Sequence, residues 1–352
     1  MSYADIADLS LQVESVDFER RERETSSGFT RATTVITLSG DGVAGRGEDV
    51  TYEATEHDPE RWERLERPTG SYTLDSFSEE LDGTALFPTE PDREAFHHYR
   101  RWGFESAALD LALRQTGASL GEQVGRTYDP VRFVVSTRLS DVEDEGLPTP
   151  DRVERWLEID PGLGFKLDPG PGWDRPLVDA LAATDAVEIL DLKAHYEGTS
   201  VDNPPDPTLY ELLVEAFPDA VIEDPGVTDE TKPILAGHED RISWDSPITG
   251  VGSIEDLPFE PQWLNIKPSR FGTVESLFET LEYCAERDVR LYGGGQFELD
   301  VGRTQIQTLA SLFYPDGPND VAPGGYNAPK PTAGLPSSPL DVPDEAGFGW
   351  QP

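Results

Sequence analysis

The sequence is poor in cysteine and in long apolar runs, and both shortages exclude classes of protein. The 352 residues include one cysteine, Cys284, so an internal disulfide and a cysteine-based zinc site are excluded. No run reaches the roughly 18 consecutive apolar residues that a membrane-spanning helix needs. The first residues, MSYADIADLS, lack the basic start and apolar core of a signal peptide. We therefore expect a cytoplasmic protein.

Basic residues are also scarce, and lysines above all. The chain has 28 Lys and Arg against 69 Asp and Glu, with a formal net charge of −41, and only five of the basic residues are lysines. Nucleic acids and anionic membranes bind a basic face, so we expect neither as a partner. Salt screens the mutual repulsion of so many carboxylates. The composition therefore predicts a halophilic protein.

The first 127 residues have the pattern of an α+β unit. Three segments alternate in the manner of antiparallel strands: LSLQVESVDFERR, TRATTVITLSGDG and VAGRGEDVTYE. Within them, SGDG is typical of a hairpin turn. Residues 92–125 then show helical apolar spacing with a break at TGAS. We predict one domain over residues 1–127.

Residues 128–315 have the pattern of a parallel (β/α) barrel. Seven short apolar runs predict strands: VRFVVSTRL, GFKLD, VEILDLKA, AVIEDP, RISWDSPI, WLNIKPSR and RLYGGGQFE. Amphipathic helical stretches separate several of them, and strands that alternate with helices in this number are typical of such barrels. Residues 316–352 are rich in proline and glycine. We predict that this last segment wraps back on one of the two domains.

Carboxylates and lysines lie at the ends of the predicted barrel strands, where barrel enzymes carry their functional groups. Side chains along a strand alternate between the two faces, so placing the apolar residues outward points three carboxylates inward: Asp191, Glu223 and Asp245. The same parity points inward three lysines and an amide: Lys166, Lys193, Lys267 and Asn265. Oxygen ligands from three separate strands suit Mg²⁺, with Mn²⁺ as an alternative.

This constellation resembles the enolase superfamily, and in particular its muconate-lactonizing-enzyme-like branch. Members carry a lysine on the second barrel strand, carboxylate metal ligands on the third to fifth, and a lysine on the sixth. The matching residues here follow the same order: Lys166, Asp191, Glu223, Asp245 and Lys267. The segment YGGGQFELDVGR is similar to the seventh-strand segment of o-succinylbenzoate synthases and N-acylamino acid racemases, and it contains Glu298.

The resemblance implies a Mg²⁺-dependent lyase or isomerase acting on a small-molecule carboxylate. Lys166 and Lys267 would serve as acid and base around an enediolate that the metal stabilises, in a dehydratase, a cycloisomerase, or a racemase or epimerase. Residues 1–127 would form a capping domain over the barrel mouth, with the polar segment 20–31 as a lid loop. Asn265 and Glu298 are candidates for substrate contact. We also expect a homo-oligomer.

Three positions depart from the family pattern and leave other functions open. Gly164 stands where many members have a lysine, Lys193 where an asparagine is common, and Ser246 where a glutamate is common. Lys193 is either a further catalytic group or a structural bridge to Asp168 or Asp224. A metal-free Schiff-base aldolase would use strand-borne lysines but would leave the three carboxylates unexplained. A non-catalytic binding protein on the same scaffold is the third alternative.

Overall fold

The computed structural model describes residues 2–26, 28–139, 147–196, 198–199, 201–342 and 346–349. The N-terminal part combines antiparallel strands with helices. Its elements are β1 (Ser10–Val13), β2 (Ser15–Glu24), β3 (Thr30–Gly40), β4 (Val43–Asp49), α1 (Pro59–Trp62), β5 (Gly70–Thr73), α2 (Leu74–Asp82), α3 (Ala95–Thr116) and α4 (Leu120–Val124). Strands β2, β3 and β4 form one sheet, and β1 pairs with β5 in another.

One strand prediction and one loop prediction in this part need correction. The segment LSLQVESVDFERR forms two strands rather than one, because the chain leaves β1 at Glu14 and enters a different sheet. The predicted lid loop at residues 20–31 is mostly strand: β2 runs to Glu24, β3 begins at Thr30, and the two pair up to that point. The polarity of the alternating Arg and Glu residues predicts a loop, but one face of an antiparallel sheet can also be exposed to solvent and carry polar side chains. Ser27 lies outside the described residues.

The helical pattern predicted for residues 92–125 is confirmed by α3 and α4. A glycine in β4 lets α3 lie close to the sheet. α3 ends at Gly117, whose φ of 69° is left-handed, and Ser119 caps α4, as the break at TGAS predicted. A Cβ on Gly45 would overlap the backbone of Leu111 in α3, so glycine is required for this close approach.

Among the described residues, no helix combines the length and the apolar character needed to cross a membrane.

The barrel part contains all seven predicted strands. Its elements are β6 (Val134–Thr137), α5 (Asp151–Ile159), β7 (Gly164–Leu167), α6 (Arg175–Ala182), β8 (Val187–Asp191), α7 (Pro207–Ala216), β9 (Val221–Glu223), α8 (Lys232–Leu235), β10 (Ile242–Trp244), α9 (Val251–Glu255), β11 (Trp263–Ile266), α10 (Val274–Glu286), β12 (Arg290–Gly293) and α11 (Val301–Phe313). The strands pair in parallel and in chain order from β6 to β12. The predicted fold class, a modified barrel with an N-terminal α+β domain, is confirmed.

Two residues of the Pro/Gly-rich segment close the barrel between its first and last strands. The Val134 N–H donates to the carbonyl of Asn319 at 2.9 Å, and the Asp320 N–H donates to the carbonyl of Gly293 at 2.8 Å. The Asn319 side-chain oxygen also accepts the Gly293 N–H at 2.6 Å. The eighth position of the barrel is therefore an irregular backbone segment, held by an asparagine side chain, rather than a regular strand.

The rest of the Pro/Gly-rich segment contacts both parts of the chain. Leu340 pairs with the backbone just before β6, and the Gly347 N–H donates to the carbonyl of Ala118 at 2.9 Å. Residues 343–345 and 350–352 of this segment lie outside the described ranges. The described residues thus connect the first barrel strand to the end of α3.

Candidate active site

Three carboxylates meet at the C-terminal ends of neighbouring barrel strands. Asp191 ends β8, Glu223 ends β9, and Asp245 follows β10 directly. One oxygen of each lies within 4.8 Å of the others, and all three side chains are buried. Parallel strands place their C-terminal ends at one mouth of the barrel, which is why residues far apart in sequence converge. We call these residues the carboxylate triad.

Two lysines approach the triad from opposite sides of the barrel. Lys166 Nζ lies 2.5 Å from Glu223 Oε1 and 3.2 Å from Asp191 Oδ2. Lys267 Nζ lies 2.8 Å from Asp245 Oδ2. The two lysines are 2% and 7% exposed. Lys166 is on β7 and Lys267 follows β11, four strands away, so the triad lies between their ammonium groups.

Lys193 forms a bridge between two carboxylates. Its Nζ lies 2.6 Å from Asp191 Oδ2 and 3.4 Å from Asp168 Oδ1. Its φ of 52° is left-handed, which is uncommon for a residue other than glycine, and the side chain reaches back to its own strand. Of the two predicted partners, the structure places Asp168 at Lys193. The oxygens of Asp224 instead accept backbone N–H groups at the start of the next loop.

Asn265 contacts the carboxylate triad, whereas the contacts of Glu298 are with Gln296 and Arg303. The Asn265 amide donates to Glu223 Oε1 at 3.2 Å. Glu298 accepts the Gln296 N–H at 2.7 Å and lies 3.4 Å from Arg303. Within the described part of the chain, no hydrogen bond or ion pair joins Glu298 to the triad. Substrate contact by these two residues stays a prediction.

The triad and its lysines have further contacts in the described part of the chain, with Tyr196, Arg270, Tyr292 and Asp320. The Tyr292 hydroxyl donates to Glu223 Oε2 at 2.5 Å. The Tyr196 hydroxyl donates to Asp245 Oδ2 at 2.9 Å, and Arg270 Nη2 lies 3.3 Å from the same oxygen. Strand parity could have found Tyr292, which is on β12. The other three lie in loops or in the barrel-closing segment, where no periodicity indicates the direction of a side chain.

Burial and neighbouring charges shift the pKa values of the cluster in different directions. Burial raises the pKa of Glu223, and Asp191 and Asp245 raise it further against the effect of Lys166. The pKa values of Asp191 and Asp245 are lowered, because their cationic neighbours outweigh burial. Burial alone would lower the pKa of Lys166, but Asp191 and Glu223 hold it well above its ordinary value. These two carboxylates therefore favour the cationic form of Lys166 over the neutral amine.

Among the described residues, the cluster formed by the triad, its lysines and their charged neighbours has one more acidic side chain than basic ones. The acidic ones are Asp168, Asp191, Glu223, Asp224, Asp245 and Asp320, and the basic ones are Arg138, Lys166, Lys193, Lys267 and Arg270. In addition, Asp245 Oδ1 is buried and has no hydrogen-bond partner among the described residues. A cation bound at the triad would supply that partner. A donor set made only of oxygen atoms suits Mg²⁺ or Mn²⁺.

The structure shows which side chains lie beside Gly164, at the N-terminal end of β7. The pairing of β7 with β8 shifts by one residue next to Phe165, and a Cβ on Gly164 would overlap the Glu188 carboxylate. That carboxylate forms an ion pair with Arg132. An Arg–Glu pair thus occupies the space beside Gly164, where many superfamily members carry a second lysine.

Both parts of the chain match models of one protein family. The N-terminal domain of DUF8230, a domain of unknown function, matches residues 4–123, and its C-terminal domain matches residues 127–328. An o-succinylbenzoate synthase of Bacillus subtilis (strain 168) is 25% identical over 230 residues, which are 62% of this chain and 58% of that protein. The matched region therefore spans less than two thirds of that relative's length.

Solved structures share the fold at low sequence identity. A member of the enolase superfamily from Listeria innocua is 21% identical with a TM-score of 0.65, covering 96% of this chain and 94% of that chain. A dipeptide epimerase from Methylococcus capsulatus, complexed with a Mg ion, is 17% identical with a TM-score of 0.69, covering 96% and 99%. The matches to both domain models place this chain in the DUF8230 family. The fold of this chain is that of the enolase superfamily.

Proposed function

We propose that the chain is a Mg²⁺- or Mn²⁺-dependent lyase or isomerase that removes a proton alpha to the carboxylate of a small molecule. The observation that carries the proposal is the buried triad, with oxygens within 4.8 Å of one another, between Lys166 and Lys267. The names of two similar proteins, a synthase and an epimerase complexed with a Mg ion, support the same class. A Schiff-base aldolase would leave the triad without a role.

Asp191, Glu223 and Asp245 would hold the ion. When bound, the ion supplies a positive charge that stabilises the negative charge developing on the substrate carboxylate. Lys166 would take or return a proton on one face of the substrate α-carbon, and Lys267 would do so on the other. Burial strengthens these charge interactions, because little water is present to screen them.

The experiment that tests this function is proton exchange in D₂O. We expect the protein, incubated with Mg²⁺ and a panel of dipeptides, N-acylamino acids and hydroxy acids, to remove the α-proton signal of at least one class in ¹H NMR. Exchange identifies the substrate class even where no net product forms. Metal binding without any exchange would favour the binding-protein alternative, and trapping of a substrate by borohydride would favour the aldolase.

We predict that the triad binds the metal and that neutral amides weaken it. Asp191→Asn, Glu223→Gln and Asp245→Asn each replace a charged ligand, and Mg²⁺ affinity depends on ligand charge. The loss should be at least the roughly 10- to 100-fold seen when outer partners of metal sites are changed. Isothermal titration calorimetry measures it, with the exposed Asp219→Asn as the control. Unchanged affinity in all three amide variants would contradict the assignment.

The proposal also covers the salt concentration and the compartment in which the protein works, and its oligomeric state. A net charge of −41 supports adaptation to concentrated salt and opposes binding to nucleic acid or anionic membranes. We further propose a cytoplasmic homo-oligomer, which size-exclusion chromatography with light scattering in molar KCl would test. A single monomeric species under those conditions would contradict the oligomer.

A further inference from the structure

The loop that follows β12, residues 294–298, lies directly against the proposed active site. The Gly294 N–H donates to the carbonyl of Ile266 at 3.0 Å. A Cβ on Gly294 would lie 2.5 Å from Asn265 Oδ1 and 2.9 Å from Lys267 Cε. The loop backbone therefore forms a wall beside the side chain of Lys267, and a shift of the loop would change the space that this lysine occupies.

The capping domain holds the same loop from its other side, through Gln296. The Gln296 carbonyl accepts from Arg31 Nη2 at 3.1 Å, and its side-chain oxygen accepts from the Tyr52 hydroxyl at 2.8 Å. Its side-chain nitrogen lies 3.5 Å from the Tyr99 hydroxyl. Gln296 is buried, so its polar atoms depend on these three residues for the hydrogen bonds that water would otherwise supply. Three capping-domain residues thus determine where Gln296 lies.

Arg31 strengthens this connection because it is a buried cation with no carboxylate at ion-pair distance among the described residues, so its hydrogen bonds go to backbone carbonyls. Its Nη1 donates to the carbonyl of Thr51 at 2.6 Å, and its Nη2 also donates to the carbonyl of Val50. Its Cζ lies 4.5 Å from the centroid of the Tyr52 ring. A buried guanidinium is costly unless its donors are satisfied. Arg31 Nε already lacks a hydrogen-bond partner among the described residues, so displacing the Gln296 carbonyl would leave a further donor of Arg31 unsatisfied. Arg31 therefore ties the end of β4 to the β12 loop.

We propose that Gln296 is a positioning residue that couples the seating of the capping domain to the placement of Lys267. When the capping domain is seated, Gln296 holds the loop against Lys267, whose ammonium then stays at Asp245, 2.8 Å away. Without the side-chain bonds of Gln296, the loop relaxes and Lys267 gains freedom. Lys166 lies on the opposite side of the triad, so the effect is confined to one lysine. The role of Lys267 in this coupling rests on the proposed function.

Chemical reactivity of the lysines tests the coupling without any substrate. Gln296→Ala removes the bonds to Tyr52 and Tyr99 but keeps the backbone contacts, and Tyr52→Phe removes a single hydroxyl. We expect reductive methylation, followed by peptide mass spectrometry, to show a several-fold faster reaction at Lys267 in Gln296→Ala and a smaller rise in Tyr52→Phe. The rate at Lys166 should not change in either variant.

The controls separate this coupling from a general loosening of the fold. Tyr72→Phe removes a capping-domain hydroxyl that donates to the carbonyl of Thr69 at 3.1 Å, far from the β12 loop in the chain, and should leave every rate unchanged. The exposed Lys232 and Lys330 are internal standards for reagent activity. The midpoint of thermal unfolding checks that each variant is folded at the temperature of the reaction.

Two outcomes would overturn the proposal. One is an unchanged rate at Lys267 in Gln296→Ala, and the other is an equal rise at Lys166 and Lys267. If a substrate is found, Gln296→Ala should lower kcat with little change in KM, since the triad and its metal are untouched. A lack of proton exchange in the unmodified protein would count against the proposed function but would not alter the lysine rates.

Discussion

Lys166→Ala and Lys267→Ala are each expected to lose proton exchange at one face of the substrate, by about 10²- to 10⁴-fold, as for the removal of a general acid or base. Metal binding should persist in both variants, because the triad is intact. In Lys267→Ala, Asp245 keeps Arg270 at 3.3 Å and the Tyr196 hydroxyl at 2.9 Å. The loss is therefore expected in the chemistry rather than in the fold.

The pattern of the loss distinguishes the candidate reactions. In a racemase or epimerase each lysine serves one antipode, so each alanine variant should still exchange the α-proton of the other antipode in D₂O. In a dehydratase one lysine is the base, and a single variant should lose all exchange. Lys267→Arg should fail like the alanine variant, because a guanidinium stays protonated near neutral pH. The exposed Lys232→Ala is the matched control, and full activity in Lys267→Ala would refute the mechanism.

The second large effect is expected from salt. Lowering KCl from about 1 M to about 0.1 M lengthens the screening distance from about 3 Å to about 10 Å, so repulsion among carboxylates reaches further across the surface. With a net charge of −41, the folded state should lose several kcal/mol of unfolding free energy. For domains of 150–250 residues, each kcal/mol corresponds to about 2–4 °C in Tm.

Thermal unfolding followed by circular dichroism across a KCl series measures this dependence. Sucrose at matched osmotic strength is the control, because it favours burial of surface without screening charge. We expect Tm to rise steeply with KCl and only slightly with sucrose. A Tm that is the same at both salt concentrations, or higher at the lower one, would contradict the halophilic interpretation.

The sequence by itself determined the barrel strands and grouped the three carboxylates of the triad with the two lysines beside them. Alternation with a period of two tells which side chains of a strand face inward, and parallel pairing places successive strand ends together. For that reason Asp191, Glu223 and Asp245 could be grouped before their distances were known. The same alternation placed Lys166 and Lys267 beside them, because both lie on or directly after regular strands.

Only the tertiary structure decided the features that depend on loops and on contacts between domains. Asn319 closes the barrel through its side chain and backbone, and Arg270 reaches Asp245 from a short turn after β11. Residues 20–24 became part of a strand because β3 was available to pair with a polar β2. Periodicity describes a chain within one regular element. The direction of a loop side chain is instead set by partners distant in sequence, and those partners become neighbours only when the chain is folded.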